Sequence, residues 1–168
     1  MDPRIIDACD HWRAQRGKLY YYGAEGPDRW DCSGLYRQGL LRGCLWPYGA
    51  REDRGVVAMW EEEIFARVPW LDRQPGDGVV FQDTKTGKPI HLVCILSQTE
   101  LIGANGGFPP RRFGTSQQES TSDYEARLRK AKAEVRIIPH EYWKVARLGV
   151  IRPPILLGID HSGGLHHR

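Results

Sequence analysis

The tetrapeptide Asp31-Cys32-Ser33-Gly34 joins two unlike neighbours. Before it runs a turn-prone polar segment, residues 23–29, containing Gly26-Pro27-Asp28. After it comes an apolar-periodic segment, residues 35–45. Cys32 therefore falls at a helix start. Unpaired backbone N–H groups there carry partial positive charge and favour a thiolate over a thiol. A thiolate is the form of cysteine that attacks carbonyl carbon. A cysteine in this place can equally be a small buried hydrophobe. The choice turns on whether the chain also supplies a base, a group to orient it and a site for an oxyanion.

Upstream, Asp2-Pro3 reads as an N-cap followed by proline at the first helical position. Ile5, Ala8, Cys9 and Trp12 recur at three and four residues, one apolar helix face ending near Gly17. Residues 19–22 form a short aromatic extended piece. Downstream, the spacing predicts a helix over residues 33–44, with Tyr36, Leu40, Leu41, Cys44 and Leu45 on its buried face and Gly43 and Pro47 at its end. A further helix is predicted over residues 56–68.

The period then changes. Pro75-Gly76-Asp77-Gly78 is a turn signal, and residues 79–81 are a short strand. His91 opens a largely apolar run, residues 91–96, bounded by turns as a central strand is. Further strands are predicted over residues 100–104, 135–138 and 146–151. Residues 105–122 are a long loop suited to binding or to covering a cleft. Residues 123–132 read as a short solvated helix. Helices first and hairpin-linked strands after predict an α+β fold, N-terminal helices packed on a mostly antiparallel sheet.

The chain has 168 residues, of which 40% are hydrophobic and 27% charged, enough for one domain with a sizeable core. We assign residues 1–153 to one catalytic domain and 154–168 to a C-terminal tail. The net charge of +3 is mild: it suits an anionic polymer and gives no nucleic-acid footprint. No apolar run predicts membrane insertion. The N-terminus lacks a signal peptide's apolar stretch, which predicts a chain made in the cytoplasm with reduced thiols. Of the four cysteines, Cys9, Cys44 and Cys94 lie in apolar patterns and read as packing residues. No His/Cys cluster has zinc spacing, so no metal is expected, the tail histidines His161, His166 and His167 included.

A nucleophilic cysteine needs a base within hydrogen-bond reach and a third group to orient it. His11 lies in a helix without a partner pattern, His140 follows Pro139 at a strand end, and three histidines are in the tail. His91 alone opens a central strand directly after a turn. A histidine there can also be no more than a satisfied polar group.

Four segments resemble the NlpC family of cell-wall cysteine peptidases, within the papain-like superfamily. Leu19-Tyr20-Tyr21-Tyr22-Gly23 is similar to its approach segment. Asp31-Cys32-Ser33-Gly34-Leu35 matches its nucleophile motif. Gln74-Pro75-Gly76-Asp77-Gly78-Val79-Val80-Phe81 resembles its strand entry, and His91-Leu92-Val93-Cys94-Ile95 its histidine strand. The resemblance implies Cys32 as nucleophile, His91 as base and Tyr20 as an oxyanion donor beside the Cys32 N–H. It implies Asp31 and Ser33 as contacts to the substrate's amine, and no cofactor. Tyr20 can instead be an aromatic core residue, and Asp31 an N-cap. Asp77 reads as a structural turn residue.

One position departs from the family. Its orienting residue, about a dozen residues after the base, falls here at Gly103, which has no side chain. Asn105, on the same side of a strand by period two, is the polar group we assign, with Gln98 and Glu100 as alternatives nearer the hairpin.

The resemblance implies hydrolysis of an amide bond in peptidoglycan stem peptides, next to D-glutamate, through a Cys32 acyl-enzyme. With no export signal and no wall-binding repeat read in the sequence, such a domain is expected, by analogy, to be delivered as a bacteriophage tail or lysis protein working with other tail proteins, or as an injected effector. Two rivals are a thiol amidase or acyltransferase using the same pair, and a non-catalytic phage assembly protein with a decayed site.

Overall fold

The computed structural model describes residues 1–106, 120–139 and 147–158. Helix α1, Pro3–Ala14, starts as its cap residues require, with Asp2 accepting from the Arg4 N–H. It buries Ile5, Ala8, Cys9 and Trp12. Strands β1 (Leu19–Tyr20) and β2 (Arg29–Trp30) form a small parallel pair. Helix α2, Cys32–Arg42, follows at once. Then come α3 (Val56–Glu61), β3 (Ala66–Val68), β4 (Gly78–Gln82), β5 (Pro89–Ile95), β6 (Glu100–Ala104), α4 (Thr121–Lys130), β7 (Val135–Pro139) and β8 (Arg147–Arg152).

Strands β3 to β8 make one six-stranded sheet in the order β3-β8-β4-β5-β6-β7, and every neighbouring pair is antiparallel. Helices α1 and α2 pack on one face. Trp12, Leu35, Tyr36 and Leu40 meet Val80, Leu92, Cys94 and Ile102 in the main core. Val79, Phe81, Val93, Ile95, Leu101 and Val150 form a second buried cluster, as strand alternation requires. The α+β, papain-like arrangement expected from the order of elements is the one the chain adopts.

Helix α2 is pinned to α1 by the absence of side chains. A Cβ on Gly39 would overlap the Trp12 indole, and one on Gly43 the Arg4 carbonyl. The Trp12 indole N–H donates to the Leu35 carbonyl at 2.9 Å, and its ring stacks on Tyr36 at 5.7 Å.

Three expectations need correction. The helix predicted over residues 56–68 is α3 followed by β3. Glu61-Glu62-Glu63 brings negative charge to a helix C-terminus, where the dipole disfavours it, and Glu63 turns left-handed at φ 56. Cys44, expected in the core, is exposed. It takes the left-handed position (φ 54) that ends α2, because Gly43 is committed to the contact with α1. The folded body also runs past residue 153: Pro154–Leu157 is a 3-10 turn with Pro154 buried and Ile155 and Leu156 against the main core.

Asp77 is structural, as its place in the turn suggests. It is fully buried, accepts from the Gln74 N–H at 2.9 Å, and receives two Arg152 bonds of 2.8 Å from β8. No helix among the described residues is long and apolar enough to cross a membrane. His140, the tail histidines and most of the 105–122 loop lie outside the described residues.

Candidate active site

Cys32 is the first residue of α2, and Asp31 caps that helix. Asp31 Oδ1 accepts from the Gly34 N–H at 2.6 Å and from the Ser33 hydroxyl at 3.2 Å, while Oδ2 accepts from the Gly23 N–H at 2.9 Å. One carboxylate thus fixes the helix start and the preceding loop together. Gly34 is required by the same closeness: a Cβ there would stand 2.6 Å from the Ala24 carbonyl oxygen. The N-cap role weighed for Asp31 from sequence is therefore filled, and its side chain also lines a cavity with Ser33.

That cavity, about 320 Å³, opens beside the nucleophile. Tyr20, Asp31, Cys32 and Ser33 line it, with Tyr22 and Gly23, the segment carrying Asp53, Gly55, Val56 and Val57, and Ile90. Among the described residues, four of the six site residues expected from sequence line this one space. Tyr20 sits at its wall under burial that raises its hydroxyl pKa, with Cys32 the next contributor. Its ring rests on the backbone of Gly106, where any Cβ would overlap it.

His91 lies one residue behind Ile90. The Leu92 backbone N–H is near enough to the Cys32 sulfur to favour its thiolate. The residues on either side of His91 thus touch the cavity and the nucleophile. His91 Nε2 is 3.1 Å from Asn105 Oδ1. The hairpin explains why Asn105 holds this place. Cys94 pairs with Ile102, and continuing that register by three residues sets Asn105 opposite His91. Gly103 instead faces Val93, whose Cγ1 would be 2.6 Å from a Cβ at 103. Gln98 and Glu100 lie at the hairpin; Gln98 bonds the Arg73 carbonyl.

Asn105 also fixes the tautomer. Its Nδ2 donates to the Gly103 carbonyl at 2.9 Å, so its oxygen must face the imidazole. An oxygen accepts only, so His91 Nε2 carries the proton and Nδ1 is the acceptor nitrogen of the ring.

The resting charge state differs from the thiolate expected of a helix start. Burial pushes the Cys32 thiol up to about 11, and the Asp31 carboxylate adds to it. The N–H groups of Leu92, Ser33 and Cys32 act in the opposite direction and are outweighed. Burial pulls His91 down to about 4 against the Asn105 bond. Both shifts favour a neutral thiol and a neutral imidazole, because desolvation penalises each charged form. Among the described residues, no group of three or more His, Cys, Asp or Glu could hold a metal.

No protein-family model and no curated protein sequence matches the chain. Solved structures share its fold. NlpC1 from Trichomonas vaginalis superposes with a TM-score of 0.59 at 18% identity, over 86% of this chain and 42% of that one. The P60 domain of an antigen from M. avium subspecies paratuberculosis gives 0.58 at 15%, over 89% and 93%. The peptidoglycan hydrolase RipB from Mycobacterium tuberculosis gives 0.54 at 16%, over 89% and 64%. The chain spans less than half the length of NlpC1 and of NlpC2 from T. vaginalis, 42% and 47%. Its fold is that of the NlpC/P60 proteins.

Proposed function

We propose that the chain is a cysteine peptidase that hydrolyses an amide bond in peptidoglycan stem peptides, next to D-glutamate. One observation carries the reading: a helix-start cysteine in a cavity, against the strand of a histidine whose tautomer is fixed for proton acceptance. The NlpC/P60 fold, shared with a peptidoglycan hydrolase, supports the choice of substrate.

In this scheme His91 Nδ1 takes the thiol proton as the Cys32 sulfur attacks the amide carbon. Thiolate and imidazolium then attract each other, which offsets part of the cost of creating charge in a buried site. The carbonyl electrons move to oxygen. The Cys32 backbone N–H and the Tyr20 hydroxyl donate to that oxyanion. Burial keeps Tyr20 protonated, which is the state a donor needs. The tetrahedral adduct collapses, the C–N bond breaks and the His91 imidazolium protonates the leaving amine. Water then attacks the thioester with His91 as base, releasing the acid and the thiol. Asp31 and Ser33 face the cavity and contact the substrate's amine. The reaction uses no cofactor. By analogy, we propose delivery to the wall within a phage tail.

The test is mass analysis of defined muropeptides incubated with the wild type and with Cys32→Ala. Stem-peptide fragments that appear only with the wild type support the reading. Intact stems carrying a different acylated product establish the amidase or acyltransferase instead. No change with either protein overturns the enzyme.

A further inference from the structure

Arg37 lies in the second turn of α2, on the same helix as Cys32, and is only 5% exposed. An arginine so deeply buried must spend its donors on partners. Its guanidinium does so across two separate segments. Nε donates to the Glu52 carbonyl at 3.0 Å and Nη2 to the Ala50 carbonyl at 2.8 Å. Nη1 donates to the Glu25 carboxylate at 3.3 Å. Residues 50–52 lead directly into Asp53 and Gly55, which line the cavity; Glu25 follows directly on Tyr22, Gly23 and Ala24, the first two of which line it too. One side chain thus ties both loops to the helix that carries the nucleophile.

We propose that Arg37 is a positioning residue that sets the width of the substrate cleft, and so substrate affinity, by holding these two loops at a fixed distance from Cys32. This rests on the hydrolase reading for its kinetic consequence and on geometry alone for its structural one. Arg37 touches no reacting atom. The rigid fork matters more than the charge, since three bonds in three directions need a planar guanidinium. A lysine reaches one carbonyl and leaves the rest loose.

The experiment is Arg37→Lys, read in two ways. Backbone hydrogen exchange should quicken about tenfold or more in residues 22–25 and 50–55, the scale of a lost charged hydrogen bond, with α1 and the sheet unchanged. For cleavage of a disaccharide stem-peptide fragment of peptidoglycan, KM should rise about tenfold while kcat stays within about threefold. The alkylation rate of Cys32 should not change. Should Arg37→Lys fail to fold, Glu25→Gln serves instead, and its faster exchange should centre on residues 22–25 and reach the second loop only around Asp53, which Glu25 also meets. Wild-type exchange in both loops overturns the proposal, as does an unchanged KM or a fall in kcat alone. If the wild type cleaves no stem peptide, the hydrolase reading fails, and loop exchange alone decides the role of Arg37.

Discussion

The His91 imidazole and the Asn105 carboxamide meet at 3.1 Å, with the Asn105 amide turned by the Gly103 carbonyl so that its oxygen faces the ring. Removing that carboxamide frees the ring to rotate and to change tautomer. Asn105→Ala should lower kcat by at least about tenfold, that is about 1.4 kcal/mol of barrier, with KM little changed. Restoring a side chain at the position expected from the family should give no rescue. In Asn105→Ala/Gly103→His the new Cβ meets Val93, so the double variant should be less stable and no more active. Steady-state kinetics and thermal melting check both statements.

The pH dependence should be unusual for a histidine base. With His91 held near 4 by burial, the imidazole stays able to accept a proton at pH 5. The acid limb of kcat/KM should fall as pH drops through about 4, well below the 6.5 of an ordinary histidine. A pH–rate profile locates it.

Alkylation should be slow at neutral pH. With the thiol near 11, Cys32 should react with iodoacetamide about tenfold faster per pH unit between 7 and 10. A rate that is fast and flat across that range would mean a resting ion pair.

Stability should carry the same signature. His91 binds its proton more weakly folded than unfolded, so the unfolded state holds more protons between about 4 and 6.5. Stability therefore rises with pH through that window and is lost as pH falls through it. Melting temperature should drop on acidification from 6.5 towards 4, and His91→Gln should flatten that slope.

The Asp77–Arg152 pair ties the strand-entry turn to β8. Arg152→Met leaves a buried carboxylate without its counter-charge and should cost about 3–5 kcal/mol, measured by denaturant unfolding.

Local signals in the sequence went far. Asp2-Pro3 capped α1, Asp31 capped α2, and the apolar run from His91 lies in β5, which begins two residues earlier at Pro89. The cysteine, the tyrosine and their neighbours converge on one cavity because helix start and aromatic segment are joined by a short loop. What depended on register or burial was harder to see. Asn105 could be chosen only as the nearest polar residue; its place follows from how many residues the hairpin spends in its turn, which sets the cross-strand partner of His91. Arg37 carries no local sign of burial; its burial comes from residues 50–52, whose carbonyls accept from it. The neutral thiol follows from desolvation, which no spacing reveals. The split of the expected 56–68 helix turned on one left-handed glutamate, at which apolar periodicity is silent.

Helix α2 acts as a graduated rod. Cys32 begins it, Arg37 sits in its second turn, and Gly39 and Gly43 fix its rotation and height against α1. An α-helix turns about 100° and climbs about 1.5 Å per residue. One residue inserted between Cys32 and Gly39 would leave the glycines docked and swing the sulfur roughly a quarter-turn off the cavity. Exchanges of side chain on the exposed flank are cheap by comparison. For this segment the count matters more than the composition: the seven steps from Cys32 to Gly39 set where the sulfur stands relative to the docked glycines.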